Sequence, residues 1–470
     1  MLCDFYGRII IPPQTLQHHR VGFQMAVMEA KDAMEKHGLH DGIVAVEMTG
    51  TYHKPVERAF RQGGFETRLV HPFASSFYRP SEHGDVKTDA NDLTAIFRAA
   101  VNGFGLLECP WDDVYVKLQL LCRHRRDLVR KRARLQPQIR DKLHRCFPGY
   151  TEVFGASFWT SGIALPWAME MAQHGGVEWL LKGGIPQIKA WLRETQRRCR
   201  ESTLERIYAW AGNAAPADPQ LALLMRICHT LVQDWHEKSR QITAVEQEIV
   251  GYLVNTPYVL LLSHPGVGVT SAAELAGEMG PVNHYAHAKS ISGRAGLFPS
   301  RHQSADVDRS GRLSRFRNSR LRRALLAVAD NLLKCNDYWR GKYQVWKSRN
   351  VDPRDIRVRV ANRCTRTFFQ MLLGNKLYEH PSRLDRNYVM EKILLFHQKH
   401  KMAPTLTVRD LELAATRIPR DKLQEEFHVL RPYCKPKKTK TLQDIGTVLI
   451  AVLAKYGIKE LQSESEGLES

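Results

Sequence analysis

Several things are missing from this chain of 470 residues, and each absence narrows what it can be. Its nine cysteines are scattered, odd in number and contain no C-x-x-C pair. That excludes a zinc ribbon and a disulfide framework and points to reduced thiols in a cytosolic setting. No stretch approaches the roughly 18 consecutive apolar residues of a membrane span. The nearest, Phe154 to Ala172, is broken by Ser, Thr, Gly and Pro166, and no signal peptide precedes the first strand. Acid is also scarce: 49 Asp+Glu face 69 Lys+Arg, a formal charge of +20. With 43% hydrophobic residues the chain builds real cores, so this is a folded basic protein whose expected partner is a polyanion, nucleic acid first among them.

What is present begins with alternating elements. Arg8 to Ile11 reads as a strand, Phe23, Val27, Ala30 and Met34 as a helical stripe, and Ile43–Val46 as a strand ending at Glu47. A helix near Pro55 to Gln62, a strand at Thr67–Val70 and a helix carrying Asp89 and Asp92 follow. The two aspartates, spaced i, i+3, project from one helix face. A strand-end Glu with a helix-borne Asp pair suits a hard divalent cation, Mg²⁺ with Mn²⁺ as substitute. This order of acids on strands and helices resembles the ribonuclease-H/RuvC arrangement.

Val116 to about His144 reads as a long basic helix, with seven cations from Arg123 to Arg134, and Pro137 should kink or break it. Its density of one sign suits a nucleic-acid backbone, with Arg123, Arg126 and Arg130 as contacts. Leu221 to about Tyr252 keeps a 4-3 apolar alternation, so the two are expected as an antiparallel or intermolecular coiled-coil arm. Between them, 148–219 reads as a helical insert. The Pro265-Gly266-Val267-Gly268 turn resembles a helix-hairpin-helix, a device that offers backbone N–H groups to phosphate. The region 376–470 shows helical periodicity and a basic knot at Lys435-Pro436-Lys437-Lys438.

Five segments in order decide the resemblance. They are Glu47-Met48-Thr49-Gly50-Thr51-Tyr52-His53-Lys54-Pro55, Lys87-Thr88-Asp89-Ala90-Asn91-Asp92, His264-Pro265-Gly266-Val267-Gly268, Ala295-Gly296-Leu297-Phe298-Pro299 with Gln303-Ser304, and Arg322-Arg323-Ala324-Leu325. They look like the signatures of the DEDD transposases of the insertion-sequence one-ten family, related to the Piv-type DNA invertases. The resemblance covers about residues 5–375.

It implies a RuvC-like catalytic domain (1–110), a coiled-coil connector (111–255) and a mainly α-helical transposase domain (256–375); the insert at 148–219 and the helical extension (376–470) lie outside the matched motifs. It implies that Glu47, Asp89 and Asp92 hold the metal and that Ser304 is the nucleophile, with Ser310 and Ser314 as neighbouring rivals. Lys87, Arg301, Arg309, Arg312, Arg315, Arg322 and Arg323 are then expected on nucleic acid. It further implies transposition of a mobile element by metal-dependent cleavage and serine-linked strand exchange, a structured guide RNA, and a dimer or tetramer acting in the cytoplasm at the nucleoid. One part departs from the pattern. Only Met1-Leu2-Cys3 precede Asp4, too few for a central strand of ~5–6 residues, so the first strand is expected to be truncated and Asp4 to be a turn residue. An endonuclease without a covalent step and an inactive DNA-binding remnant are the competing expectations.

Overall fold

A computed structural model describes residues 1–48, 50–79, 88–107, 111–304, 307–315, 317–379, 388–419, 422–423 and 425–426. The chain divides into two compact units, 1–110 and 111–470. It is mostly helical with a small mixed sheet.

In the first unit, β1 (Leu2–Cys3) and β2 (Ile9–Ile11) form an antiparallel hairpin. Asp4 turns it, its carboxylate accepting from the backbone N–H of Tyr6 and Arg8 at 3.0 and 2.8 Å. This is the side-chain mimicry of a turn that short acids favour. The hairpin pairs with no other described strand. After α1 (Arg20–Lys36), β3 (Ile43–Glu47) leads through α2 (His53–Gln62) to β4 (Glu66–Val70). β3 and β4 are parallel, Ile43 opposite Glu66 and Glu47 opposite Val70. The β-branched run of β3 fits the pleat, and Pro55 in the first turn of α2 loses no helical hydrogen bond. α3 (Pro72–Phe77) and α4 (Asp89–Ala99) follow, and β5 (Gly105–Leu107) returns antiparallel to β4. The small core beneath α3 and α4 is built from Val70, Ala74 and Ala99 with Ala45, Tyr78 and Ile96 packed on it. The sequence pattern led to a RuvC-like sheet; a three-stranded mixed sheet with a separate hairpin is what the described residues form.

The second unit is organised by two long helices. α5 (Asp113–Cys146) continues through Pro137, where a kink or a break was expected, so the helix is not broken there. An internal proline costs about 3 kcal/mol. Ile139 and Leu143 just beyond it are fully buried, and burying each side chain contributes about 1.5–3 kcal/mol, enough to hold the helix together.

Four further helices follow: α6 (Tyr150–Phe154), α7 (Ala164–Gln173), α8 (Val177–Glu194) and α9 (Glu201–Gly212). Then comes α10 (Leu221–Leu253). Arg125 meets Glu246, Arg132 meets Ser239 and Cys146 meets the Leu221 carbonyl, so α5 and α10 run antiparallel within one chain. The helices of 148–219 make their own core with the end of α5 and the start of α10, around Tyr150, Trp167 and Ile188.

The other core surrounds the opposite ends of the pair. It takes α11 (Val269–Met279), α12 (Ala288–Ala295) and α13 (Ser319–Cys335), and between α12 and α13 the chain forms the hairpin β6 (Pro299–Ser304) and β7 (Val307–Leu313). α14 (Asp337–Ser348), α15 (Pro353–Leu373), α16 (Val389–Lys399) and α17 (Pro404–Arg417) complete it. Val389, Ile393, Leu394 and Leu411 are fully buried in this core, so this part of 376–470 is an integral layer of it. The Lys435–Lys438 knot lies outside the described residues. Among the described residues no helix is long and apolar enough to cross a membrane.

The helix-hairpin-helix expectation is corrected. A 3₁₀ segment, Pro257–Ser263, precedes the turn where a helix was expected. The turn faces inward: His264 and Val267 are buried, and Lys392 of α16 donates to the carbonyls of Leu262, His264 and Val267 at 2.6, 3.2 and 2.8 Å. Gly266 has φ +87°, and a Cβ there would stand 2.8 Å from Leu332 Cδ2. Glycine is needed at this position on both counts.

Candidate active site and nucleic-acid interface

Glu47 ends β3, and Asp89 and Asp92 open α4. Thr88 caps that helix, its hydroxyl accepting from Asn91 N at 3.2 Å, and both aspartates lie where the helix dipole favours negative charge. One short segment ties the acids of strand and helix. Ser75 on α3 donates its hydroxyl to Glu47 Oε1. Arg79, four residues on, pairs through Nε with Asp92 Oδ1 at 3.0 Å. Asp89 is exposed. Oxygen donors of this kind suit a hard divalent cation, but among the described residues no three His, Cys, Asp or Glu side chains converge to hold one. The acids and the metal chemistry therefore fit in kind and not in arrangement, with Arg79 standing against Asp92. Lys87 lies outside the described residues.

The β6–β7 hairpin carries the serine. Ser304 is the last residue of β6, and its backbone pairs with Val307, the first of β7. Its side chain, and those of Ser310, Arg301 and Arg309, lie outside the described part. Arg312 and Arg315 are exposed. Ser314 is buried at the foot of the hairpin, its N–H donating to Phe298 O at 3.0 Å. That burial weakens it as a rival nucleophile.

Both feet of the hairpin are held by one side chain. Arg322 of α13 donates to Ala295 O at 2.8 Å, to Gly296 O, and to Ser314 O at 2.7 Å. Asn362 of α15 donates to Leu297 O at 2.8 Å. Arg322 was expected on nucleic acid; its guanidinium is instead occupied by backbone carbonyls, and burial, then Arg317, pushes it below its usual value.

The basic face of α5 is also largely committed. Arg123 grips Glu278 with two bonds, 2.8 and 3.0 Å. Arg125 binds Glu246 at 2.6 Å, an acid that also meets His400 Nε2 at 2.6 Å. Arg126 stands 3.7 Å from Glu274. Arg130 pairs loosely with Asp127 at 3.5 Å, both more than half exposed. Arg123 thus works as an internal cross-link to α11, whereas Arg130 remains open to an external anion. Arg323 is half-buried, and burial, then Arg126 and Arg130, push its guanidinium below its usual value.

Sequence reasoning missed Ser75, Arg79 and Asn362, which stand in no motif. Ser75 and Arg79 did offer one sign, an i, i+4 spacing that starts inside a Pro-initiated helix and ends just past it.

The two stretches of chain that hold the acids and the hairpin are similar to known proteins. Residues 258–344 match a family model described as the transposase IS116/IS110/IS902 family, and residues 2–148 match a second, described as a transposase, of the IS110 DEDD type. The chain belongs to this transposase family. An uncharacterized 43.6 kDa protein of insertion element IS110 from Streptomyces coelicolor is 25% identical over 300 residues, 63% of this chain and 73% of that protein. The 42 kDa protein of IS900 from Mycobacterium paratuberculosis is 27% identical over 334 residues, 67% of this chain and 77% of that one. The first matched region of the transposase holds Glu47, Asp89 and Asp92, the second Ser304 and Arg322. Between and beyond the two lie 149–257 and 345–470.

Proposed function

We propose that this transposase moves an insertion sequence by cutting DNA with Ser304 and rejoining it through a 5′-phosphoserine link. The hydroxyl oxygen of Ser304 attacks the scissile phosphorus. The O–P bond forms as the bond to the 3′ oxygen breaks, and the leaving 3′ oxygen takes a proton. Rejoining is the reverse: a 3′ hydroxyl of the exchanged strand attacks, and the serine oxygen leaves with a proton. The link conserves the phosphoester bond energy until strands have exchanged. Supporting this is the hairpin itself, which ends β6 at Ser304 while Arg322 and Asn362 fix both of its feet. Exposed Arg312 and Arg315 on that hairpin and its exit are suited to offset charge at the phosphate.

Glu47, Asp89 and Asp92 belong to the same reading as the acidic set that would hold Mg²⁺ or Mn²⁺, with Asp92 paired to Arg79 in this structure. A dimer or tetramer and a structured guide RNA complete the proposal, carried by the family resemblance. The RuvC-like reading of the first unit rests on β3 and α4 presenting those acids in that order, with β4 between them in the chain.

The test is a nicked DNA substrate that traps a covalent intermediate, run with the parent protein, Ser304→Ala and Glu47→Gln. The expected result is a protein–DNA adduct with the parent and none with Ser304→Ala. Cleavage that survives Ser304→Ala without any adduct sinks the proposal in favour of a hydrolytic endonuclease. An adduct that survives Ser304→Ala moves the nucleophile elsewhere.

A further inference from the structure

A cleft of about 300 Å³ opens between α5, α11 and α13. Five guanidinium groups line it, from Arg123, Arg126, Arg130, Arg320 and Arg323, and three carboxylates, from Asp127, Glu274 and Glu278. The charges do not pair off. Glu278 is saturated by Arg123, with Asn318 as a further donor at 3.3 Å. Glu274 is shared between Arg125 at 4.0 Å and Arg126 at 3.7 Å. Asp127 makes one loose, solvent-exposed pair with Arg130, of a kind that contributes little. The side chains of Arg320 and Arg323 make no ion pair or hydrogen bond among the described residues. Arg323 is nevertheless half-buried beside Arg126, Arg130 and Arg320.

The geometry is that of two facing rails. Arg126 and Arg130, i, i+4, lie on one face of α5, and Arg320 and Arg323, i, i+3, on one face of α13. The rails meet at the N-terminal turn of α13, the positive end of its dipole. Guanidinium groups take phosphate oxygens in pairs, which makes arginine suited to a planar two-point grip. Crowded like charges with too few counter-charges are costly when unliganded and are relieved by one added anion.

We infer that this cleft seats one backbone phosphate of the nucleic acid on which the transposase acts, held by Arg126, Arg130, Arg320 and Arg323. The seat is separate from the hairpin that carries Ser304: Arg322 turns to the hairpin's feet, and its neighbour Arg323 turns to α5. The inference rests on the reading that the protein handles nucleic acid, and not on Ser304 being the nucleophile.

The experiment therefore uses the full chain with Ser304→Ala as the parent. Binding of a DNA duplex and of a single-stranded RNA is measured against salt concentration for the parent, for Arg320→Gln and for Arg320→Gln/Arg323→Gln. Arg240→Gln, an exposed change on α10, serves as the charge control. Loss of one phosphate contact lowers the slope of log K against log salt by about 0.9 for a duplex and about 0.7 for a single strand. The expected result is a drop of that size in the double variant with DNA or with RNA, the affected strand naming the occupant, and none in Arg240→Gln. Without ligand the double variant should melt no lower than the parent, because crowded charge has been removed. Inorganic phosphate should raise the melting temperature of the parent more than that of the double variant.

Unchanged slopes for both strands overturn the inference, as does an equal drop in Arg240→Gln. A phosphate effect on melting with no change in either slope also overturns it, since the cleft would then take free anion only. A double variant that melts lower than its parent gives the two arginines a structural role instead. In that event the exposed Arg320→Gln change alone must still lower the slope, or the seat is refuted.

Discussion

Arg322 spans the entry and the exit of the hairpin with three backbone acceptors, so its loss leaves buried carbonyls unmet. An unsatisfied buried group costs about 1–3 kcal/mol. Arg322→Ala should therefore lower stability by about that amount, read by chemical denaturation, and should depress strand cleavage further than any general loss of fold. Arg322→Lys, with one donor head in place of a fork, should recover part of the stability and less of the activity. An Arg322→Ala protein with parental cleavage would show that the grip on the hairpin's feet is dispensable. At this scale the sequence was readable for type and not for partner. Glu47, Asp89 and Asp92 stand at the strand end and helix start that their spacing suggested. Arg123 and Arg322 looked like nucleic-acid contacts because the acid and the carbonyls that occupy them lie 8 to 155 positions away, at spacings that no local pattern reveals.

Among elements, α11 approaches the backbone of α5 closely beside the basic cleft. Gln119 Nε2 donates to Gly277 O at 2.9 Å, and a Cβ at Gly277 would stand 2.7 Å from Gln119 N. A side chain there must push the helices apart, and overpacking of this kind costs about 1–3 kcal/mol. Gly277→Val is expected to lower the melting temperature and to weaken nucleic-acid binding together, since Arg123–Glu278 sits one residue on; a variant with parental melting would show that the helices yield freely. α10 was legible almost to the residue, as Leu221–Leu253 against an expected end near Tyr252, because a long apolar alternation has no competing reading. The break at Pro137 was misjudged because burial on both sides of it outweighs a local penalty. The Pro-Gly-x-Gly turn was misjudged because its glycine serves packing against Leu332, which a motif does not reveal.

For the whole molecule, the later part of the chain stabilises the core by more than apolar contact. The Glu426 carboxylate accepts from Val389 N at 3.0 Å and Met390 N at 3.1 Å, at the start of α16. Burial pushes that carboxyl up to about 7 from the ordinary 4.5, and burial pushes Lys392 down to about 8. With a folded value above the unfolded one, Glu426 binds more protons in the native state between those limits. Its contribution is present below pH 4.5 and is lost as the pH rises through about 7. Urea titrations across that range should show stability falling with pH, and Glu426→Gln should flatten the trend; an unchanged trend would place the proton elsewhere.

The antiparallel pairing of α5 and α10 has a consequence of its own. Asp218 N bonds Arg145 O at 3.0 Å, so the chain leaves for the helices of 148–219 and comes back at nearly the same point. That region is a side loop grown to domain size. A reporter spliced in its place would meet two strands of peptide already abutting, with the distant serine hairpin untouched by the graft.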